Sequence, residues 1–410
     1  MTSRRSGPRL VPMPRGALYA IIAGGLVMSA AMGIRQTFGL FIGPFSTDHG
    51  LPVSAIAFAI ALHNLVWGFV QPVAGAAADR YGATPVVTFG AATFAAGLAL
   101  AAKAASEPMM ILSFGILVGI GISCTTFGVA LPAVGRAVPP ARRSMAMGLA
   151  SAGGSLGQML LVPLAQGVAD HAGVAIALWA LAAVMLIAAP LGIPLDRGAG
   201  AARTRSGPSL EETLRYALRH RGYGLLTLGF FTCGFQLAFI GTHLPNYLLL
   251  CHMPMALGAT ALALIGFFNM IGCWACGWLG GRFRQQYLLA WLYLARALAI
   301  GLFFLLPKSE TSVVLFAAVM GLAWLGTVPL TSGLVAKVFG LEHLGTLFGI
   351  CFLSHQVGSF LGAWLGGYLF DLTGSYAAVW GATAIAGVVA AILHLPIDDA
   401  PVGTRLPARA

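Results

Sequence analysis

Two arginines, Arg35 and Arg296, lie deep within long apolar stretches of the sequence, and no acidic residue accompanies them there. A charged side chain at the middle of a bilayer costs at least about 2.5 kcal/mol, so it faces a cavity or a partner. A guanidinium group binds a carboxylate through two parallel hydrogen bonds. If these stretches cross a membrane, the two positions indicate binding of an organic anion, whereas a cation site would more often bury Asp or Glu.

The composition supports a membrane environment. Hydrophobic residues make up 58% of the 410 residues and charged residues only 9%, whereas soluble domains are about 25% charged. Spanning helices satisfy their own backbone hydrogen bonds in lipid, and the apolar runs are of helix length rather than of strand length. The sequence therefore predicts an all-α integral membrane protein whose surroundings are the lipid bilayer.

Twelve apolar stretches are long enough to cross a bilayer at about 20 residues each. They cover 17–42, 53–76, 84–103, 109–132, 144–168, 174–195, 222–249, 258–280, 286–306, 311–334, 344–369 and 375–395. The longest polar stretch separates the first six from the last six. We expect one six-helix bundle over 1–196, a cytoplasmic linker over 197–221 and a second six-helix bundle over 222–410.

The basic residues predict the orientation. With the N-terminus inside, 19 of the 23 Lys and Arg fall in cytoplasmic segments and only Lys103 and Lys308 fall outside. This bias follows the positive-inside rule and places both termini in the cytoplasm. The same bias accounts for the net charge of +11. Nucleic-acid binding is not indicated, because no basic run stands beside interleaved aromatic residues.

The two halves resemble each other at an offset of 201 residues. Gly, Asp and Trp coincide in the pairs Gly148/Gly349, Gly157/Gly358, Asp170/Asp371, Gly173/Gly374 and Trp179/Trp380. A repeat of six spans is typical of transporters built from two like halves, with the substrate site between the halves near the midplane.

The loop after the second stretch reads Gly75-Ala-Ala-Ala-Asp79-Arg80-Tyr-Gly82. It resembles the G-x-x-x-D-R-x-G loop of the major facilitator superfamily, and a weaker copy follows at Gly277. In that family the loop braces the outward-open state, so the resemblance implies a gating role for Gly75, Asp79 and Arg80, joined by Arg136. An ordinary cytoplasmic turn is the alternative.

The first stretch is similar to the monocarboxylate-porter branch of the superfamily, of the oxalate/formate type in bacteria. That branch places a basic residue before F-G-x-F-type residues, as Arg35 stands before Phe38-Gly39-Leu-Phe41 here. The sequence departs from the branch at the eighth stretch, where Asn269 and Cys273 replace the usual Asp and Arg. Proton symport through that pair is therefore not expected.

The resemblance implies a central cavity beside the first span. Arg35 lies about 18 residues into that span, or about 27 Å along a helix, in the outer half of the membrane. We expect it to contact the substrate, with snorkelling to the headgroups as the alternative. For Arg296, in a peripheral helix, bonds to a neighbouring helix are favoured over an anion site.

Further polar residues of the spans complete the predicted site. They are Asn64, Thr125, Gln158, Gln236, His243, Asn269, His355 and Gln356. Hydrogen bonding between helices explains any one of them equally well. If a proton is coupled to transport, we expect it first at His243 or His355.

These features predict a secondary transporter that carries a small organic anion, most readily a carboxylate, by alternating access. Protons or a counter-anion would supply the coupling, and we expect a monomer in the bacterial inner membrane without metal or cofactor. Efflux of hydrophobic or cationic compounds is the main alternative. A membrane enzyme is a weaker one, because the adjacent acids Glu211–Glu212 and Asp398–Asp399 lie in a loop and a tail.

Overall fold

The computed structural model describes residues 15–38, 41, 53–198 and 209–401. Among these residues, twelve helices are long and apolar enough to cross a membrane, which confirms the predicted fold class. The spans, numbered in chain order, are Arg15–Gln36, Val53–Tyr81, Ala83–Ala101, Glu107–Ala137, Arg143–Ala172, Val174–Asp196, Arg221–Leu250, Met255–Gly280, Gln285–Leu305, Glu310–Phe339, Leu344–Thr373 and Ala377–His394. Several of them extend beyond the apolar stretches, because polar residues continue the helix into the loops.

The repeat is visible in the backbone. Spans 5 and 11 both end at a glycine with positive φ, Gly173 and Gly374, a conformation that other residues adopt only with strain. Spans 4 and 10 are both interrupted at related positions, span 4 at Thr126 and span 10 between Ala323 and Thr327. The two halves therefore share the positions of helix ends and helix interruptions as well as the order of the helices.

The basic face is the end of the bundle where span 1 begins and span 12 ends. It carries Arg15, Arg80, Arg136, Arg142, Arg143, Arg215, Arg219, Arg221, Arg282, Arg284 and Lys337. A short helix between the halves, Leu210–Arg219, also lies there and begins with a capping box between Ser209 and Glu212. The predicted linker thus contains one ordered helix, and its residues 199–208 lie outside the described part of the chain.

In each half, an acidic residue at or just after the end of the sixth span binds near the start of the third span. Asp196 accepts hydrogen bonds of 2.8 Å from the backbone N–H groups of Ala83 and Thr84. Asp399 pairs with Arg284 at 2.7 Å and with Lys337. Because helix N-termini leave N–H groups without partners, Asp196 caps span 3 directly, whereas Asp399 acts through Arg284.

The ion pairs of Asp399 should make the stability of the protein depend on pH. Burial alone would raise its pKa, but hydrogen bonds from Arg284 and Lys337 outweigh burial and lower the pKa from 3.8 to about 2. Since the folded-state pKa is depressed, the pairing stabilises the fold above about pH 4 and is lost as the pH falls toward 2. We expect Asp399→Asn to lower the melting temperature at pH 7 by roughly 2–4 °C, with a smaller difference at pH 3.

The control is Glu342→Gln, which removes an exposed acid on the same face that has no ion pair among the described residues. Its melting temperature should follow that of the wild type at both pH values. Equal melting temperatures for Asp399→Asn and Glu342→Gln at pH 7 would show that the pairing contributes no stability.

Candidate functional site

Arg35 lies at the end of span 1 and reaches span 2. Its Nε donates to Nε2 of His63 at 3.1 Å, and its Nη2 donates to Oδ1 of Asn64 at 3.1 Å. The guanidinium carbon lies 5.6 Å from the centre of the Trp67 ring. Residues 63, 64 and 67 share one helix face, since side chains three and four positions apart lie next to each other. Arg35 is therefore held by uncharged groups on one face of span 2.

No carboxylate neutralises this guanidinium among the described residues. The ion pairs recorded there are Arg136–Asp79, Arg215–Glu211, Arg284–Asp399 and Lys337–Asp399. Arg35 is only partly buried, so a small anion can approach it. The cluster presents a positive charge with its hydrogen-bond donors aligned in one plane, which is the geometry that a carboxylate fits.

The cluster continues into the second half of the chain. Nε2 of Gln356 in span 11 donates to the backbone carbonyl of Asn64 at 3.2 Å, and Oε1 of Gln356 lies 3.0 Å from Nδ1 of His355. The His355 ring stacks on Phe352, and its Nε2 is buried without a partner among the described residues. Four of the predicted residues, on spans 1, 2 and 11, thus form one network across the two halves.

Three other predicted residues bond to neighbouring helices or to their own helix. Thr125 donates to the carbonyl of Gly121 at 2.9 Å, and Gln236 donates to the carbonyl of Thr383 at 3.1 Å. Both ring nitrogens of His243 have partners, the Tyr376 hydroxyl at 3.3 Å and the Ala363 carbonyl at 2.8 Å. Gln158 is only partly buried in span 5, and within the described part of the chain its side chain makes no hydrogen bond that adds to the network.

Asn269 joins three helices. Its Nδ2 donates to Oγ of Ser155 in span 5 at 2.8 Å, and its Oδ1 accepts from the backbone N–H of Leu325 at 2.9 Å. Leu325 lies in the interruption of span 10, so Asn269 satisfies a backbone group that the helix leaves open. Asn269 is fully buried and contacts both halves, and in this conformation it fixes spans 5, 8 and 10.

Arg296 is fully buried and bonds to the same interruption. Its Nε donates to the carbonyl of Ala323 at 2.8 Å, and its Nη2 also donates to the carbonyl of Trp324. Its Nη1 lies 3.3 Å from Sγ of Cys233. Broken helices are stable in a membrane only where neighbours satisfy the freed backbone groups. The geometry favours the structural alternative for Arg296 over an anion site.

Arg296→Gln is therefore expected to destabilise the protein without weakening anion binding. Two carbonyl groups lose a charged donor, each worth about 1.5 kcal/mol or more, so the free energy of unfolding should fall by about 3 kcal/mol. Thermal unfolding in detergent measures this loss. Arg282→Gln, which removes an exposed arginine from the basic face, should stay within about 0.5 kcal/mol of the wild type. Lost anion binding at unchanged stability would instead assign Arg296 to the anion site.

The predicted gating residues lie where the halves meet at the basic face. Asp79 pairs with Arg136 at 3.1 Å and accepts a hydrogen bond of 3.0 Å from the backbone N–H of Thr346, in the first turn of span 11. A negative charge is favourable at a helix N-terminus. A Cβ on Gly75 would overlap the carbonyl of Gly345. Spans 2 and 11 are thus in backbone contact and joined by one carboxylate.

A second contact between the halves lies between spans 5 and 8. A Cβ on Gly148 would lie 2.7 Å from the carbonyl oxygen of Cys273 and equally close to Cα of Gly277. A Cβ on Gly349, the repeat partner of Gly148, would likewise lie 2.7 Å from Cα of Pro72. Arg80 is exposed beside Tyr81, 5.1 Å from its ring centre. The halves therefore touch through a symmetric pair of glycine contacts.

Sequence reasoning missed two parts of the Arg35 cluster. His63 and Trp67 were not among the predicted site residues, although both lie within four positions of Asn64. That spacing on one helix is the signal that could have found them. Among the described residues, no group of three His, Cys, Asp or Glu could hold a metal ion.

Two six-helix halves that meet through close glycine contacts and hydrogen-bonded polar groups define a membrane transporter of the two-bundle type. The profile of the Major Facilitator Superfamily matches residues 21–327, about three quarters of the sequence. The chain belongs to the Major Facilitator Superfamily, and it is a transporter of that family.

Relatives and solved structures agree with this assignment. An uncharacterised MFS-type transporter of Bacillus subtilis, YcxA, is 25% identical over 88% of this chain and 90% of its own. Monocarboxylate transporter 13 of Bos taurus is 27% identical over 96% of this chain and 93% of its own. The Escherichia coli fucose:proton symporter FucP superposes with a TM-score of 0.66, at 16% identity over 92% of this chain and 98% of that one. The proton:xylose symporter XylE superposes with a TM-score of 0.69, at 15% identity over 92% of this chain and 94% of that one. At such identities the structures show the fold alone.

Proposed function

We propose that this transporter carries a small organic anion with a carboxylate group across the bacterial inner membrane, and that Arg35 binds the carboxylate. The observation that carries the proposal is the guanidinium of Arg35, which is partly accessible and surrounded by neutral partners. A buried charge without a counter-charge is costly in a membrane. An anionic substrate supplies that counter-charge each time it binds.

The surroundings of Arg35 suit a small substrate. The Nε and Nη2 donors lie along one edge of the guanidinium plane, the edge that binds both oxygens of a carboxylate. Asn64 contacts Arg35 directly, and Gln356 contacts the backbone of Asn64, so amide groups from opposite halves belong to the same network. A substrate held between spans 1, 2 and 11 would contact both halves, as alternating access requires.

The relatives support the same substrate class. Several of the similar proteins are monocarboxylate transporters, which align with 92–96% of this chain at 21–28% identity. The departure at Asn269 and Cys273 means that the specificity of those relatives need not hold here. The proposed substrate class, a small carboxylate, therefore rests on Arg35.

We further propose that the basic face lies in the cytoplasm, with both termini on that side. The linker 197–221 then connects bundles 1–196 and 222–410 in the cytoplasm, and the protein works as a monomer. The positive-inside rule supports this orientation. In it, the Asp79–Thr346 and Gly75–Gly345 contacts close the cytoplasmic side, and the opposite conformation would break them.

A thermal-stability screen tests the substrate class. Purified protein would be heated in detergent with formate, acetate, lactate, pyruvate, oxalate, succinate or tricarballylate, and separately with tetraphenylphosphonium. A ligand that binds only the folded state adds RT ln(1 + [L]/Kd) of stability, or about 2.7 kcal/mol at a hundredfold Kd. We expect at least one carboxylate to stabilise the protein. Stabilisation by the cation alone would overturn the proposal in favour of efflux of hydrophobic cations.

A further inference from the structure

The contact between Arg35 and His63 defines the protonation state of the histidine. Nε2 of His63 accepts from Nε of Arg35 at 3.1 Å, and Nδ1 contacts the backbone carbonyl of Ile60. A carbonyl only accepts hydrogen bonds, so Nδ1 carries the hydrogen and Nε2 offers its lone pair. His63 is therefore neutral in this conformation, and the one nitrogen that could take a proton faces the guanidinium.

His63 has one charged neighbour among the described residues. The imidazole is 2% exposed. Span 1 brings Arg35 and the edge of the Phe38 ring to it, and span 4 brings Gly119 against its backbone. Arg35 is the only titratable or charged group in the described residues that faces the ring. The charge on Arg35 therefore decides whether His63 can accept a proton.

We propose that His63 is the binding site of a coupling proton, and that this proton enters together with the anion held by Arg35. The inference rests on the proposed function, because it needs an anion at Arg35. It differs from the expectation that a coupled proton would use His243 or His355. His243 has partners on both nitrogens, and His355 contacts no charged group of the Arg35 cluster directly.

Binding of the anion and the proton exchanges hydrogen bonds at Arg35 and His63 without changing the net charge of the site. A carboxylate first approaches the Nη1 side of Arg35, which has no partner among the described residues, and offsets the positive charge. The bonds from Nε of Arg35 to Nε2 of His63 and from Nη2 of Arg35 to Oδ1 of Asn64 then break, and the Nε and Nη2 donors turn to the two carboxylate oxygens. Oδ1 of Asn64 exchanges the guanidinium donor for water. Nε2 of His63 takes up one proton from the bulk solution, and the new N–H donates to the carboxylate. One anion and one proton enter, so the site gains no net charge.

The same geometry makes the coupling reciprocal. Without the anion, an imidazolium would stand 3.1 Å from a guanidinium, and the two like charges would repel each other. With the anion, the imidazolium gains a counter-charge and a hydrogen-bond acceptor. By linkage, the anion must raise the proton affinity of His63 by the same factor by which the proton raises the anion affinity.

The test measures carboxylate affinity as a function of pH. The probe is whichever carboxylate of the seven in the stability screen has the lowest Kd, and each value is corrected for the ligand's own titration. For the wild type we expect the Kd to fall as the pH is lowered from 8 to 6, approaching tenfold per pH unit. His63→Gln keeps an acceptor for Arg35 but does not titrate, so it should bind the anion with a Kd that does not change with pH.

Two controls identify the site. His171→Gln removes an exposed histidine at the end of span 5 and should keep the pH dependence of the wild type. His355→Gln tests the alternative proton site. Because His355 belongs to the network around Arg35, we expect this variant to change the absolute Kd but to keep its pH dependence, and loss of the pH dependence in His355→Gln but not in His63→Gln would overturn the inference. Calorimetry of the wild type in buffers of different ionisation enthalpy needs no variant, and it should show about one proton taken up per anion bound at pH values where the Kd depends on pH.

The outcomes separate the two proposals. If a carboxylate binds with the same Kd at every pH and without proton uptake, the proton site at His63 is wrong and the anion site stands. If none of the carboxylates stabilises the protein or binds in calorimetry, the proposed function fails and the proton site fails with it.

Discussion

Arg35→Gln is expected to abolish carboxylate uptake into proteoliposomes while the protein remains folded. The substitution removes two charged hydrogen bonds to the carboxylate, each worth about 1.5 kcal/mol or more, so binding weakens by about 3 kcal/mol. At 1.4 kcal/mol for each factor of ten, this is a loss of more than a hundredfold in affinity. Uptake of the radiolabelled carboxylate that stabilises the wild type most would measure it.

Two variants separate charge from geometry in this experiment. Arg35→Lys keeps the charge but not the planar pair of donors, so we expect it to retain part of the uptake. Arg282→Gln removes a positive charge at the basic face, far along the chain from the site, and should transport like the wild type. Full uptake by Arg35→Gln would mean that Arg35 only anchors span 1 at the lipid surface.

Gly75→Val is expected to prevent closure at the basic face. The added side chain would overlap the backbone carbonyl of Gly345, and neither backbone can give way easily. Overpacking of this kind costs about 1–3 kcal/mol, which shifts an equilibrium between two conformations by roughly 5- to 150-fold. Transport should fall by a comparable factor, because each cycle must pass through the closed form.

A distance measurement would show the cause of this loss. Spin labels at Ala141→Cys and Phe283→Cys, in a background with the six native cysteines replaced, report the separation of the two halves at the basic face. We expect a longer distance in Gly75→Val than in the parent. Gly301→Val is the matched control, since a Cβ at Gly301 in span 9 meets nothing within 4 Å. An unchanged distance in Gly75→Val would show that this contact does not set the conformation.

The fold was predictable because the bilayer imposes a simple length rule. Apolar stretches of about 20 residues have to become helices, and the twelve stretches correspond to the twelve helices. The repeat was also predictable, and Gly173 and Gly374 end equivalent helices, each with a positive φ. The helix in the linker was missed, because a polar amphipathic segment has no such length signal.

The site was only partly predictable, because a sequence does not give the rotation of a helix about its axis. Arg35, Asn64, His355 and Gln356 come together in the structure, whereas Thr125 and Gln236 satisfy backbone carbonyl groups elsewhere. A polar residue in a span can bind a ligand or hydrogen-bond to a neighbouring helix, because the same residue types serve both purposes. Spans 4 and 10 are interrupted within continuous apolar stretches, so the hydrophobic pattern of the sequence does not reveal the breaks. The carbonyl partners of Arg296, which lie at the break in span 10, were therefore not predictable.

The measurement that tests the anion site most directly is the Kd of purified protein, by isothermal titration calorimetry, for the carboxylate that stabilises it most. The same titration would be made with Arg35→Gln and with Arg296→Gln. We predict a Kd at least a hundredfold weaker for Arg35→Gln, and an unchanged Kd for Arg296→Gln in the fraction that remains folded. An unchanged Kd for Arg35→Gln, or a weaker Kd for Arg296→Gln alone, would contradict the assignment of Arg35 as the carboxylate-binding residue.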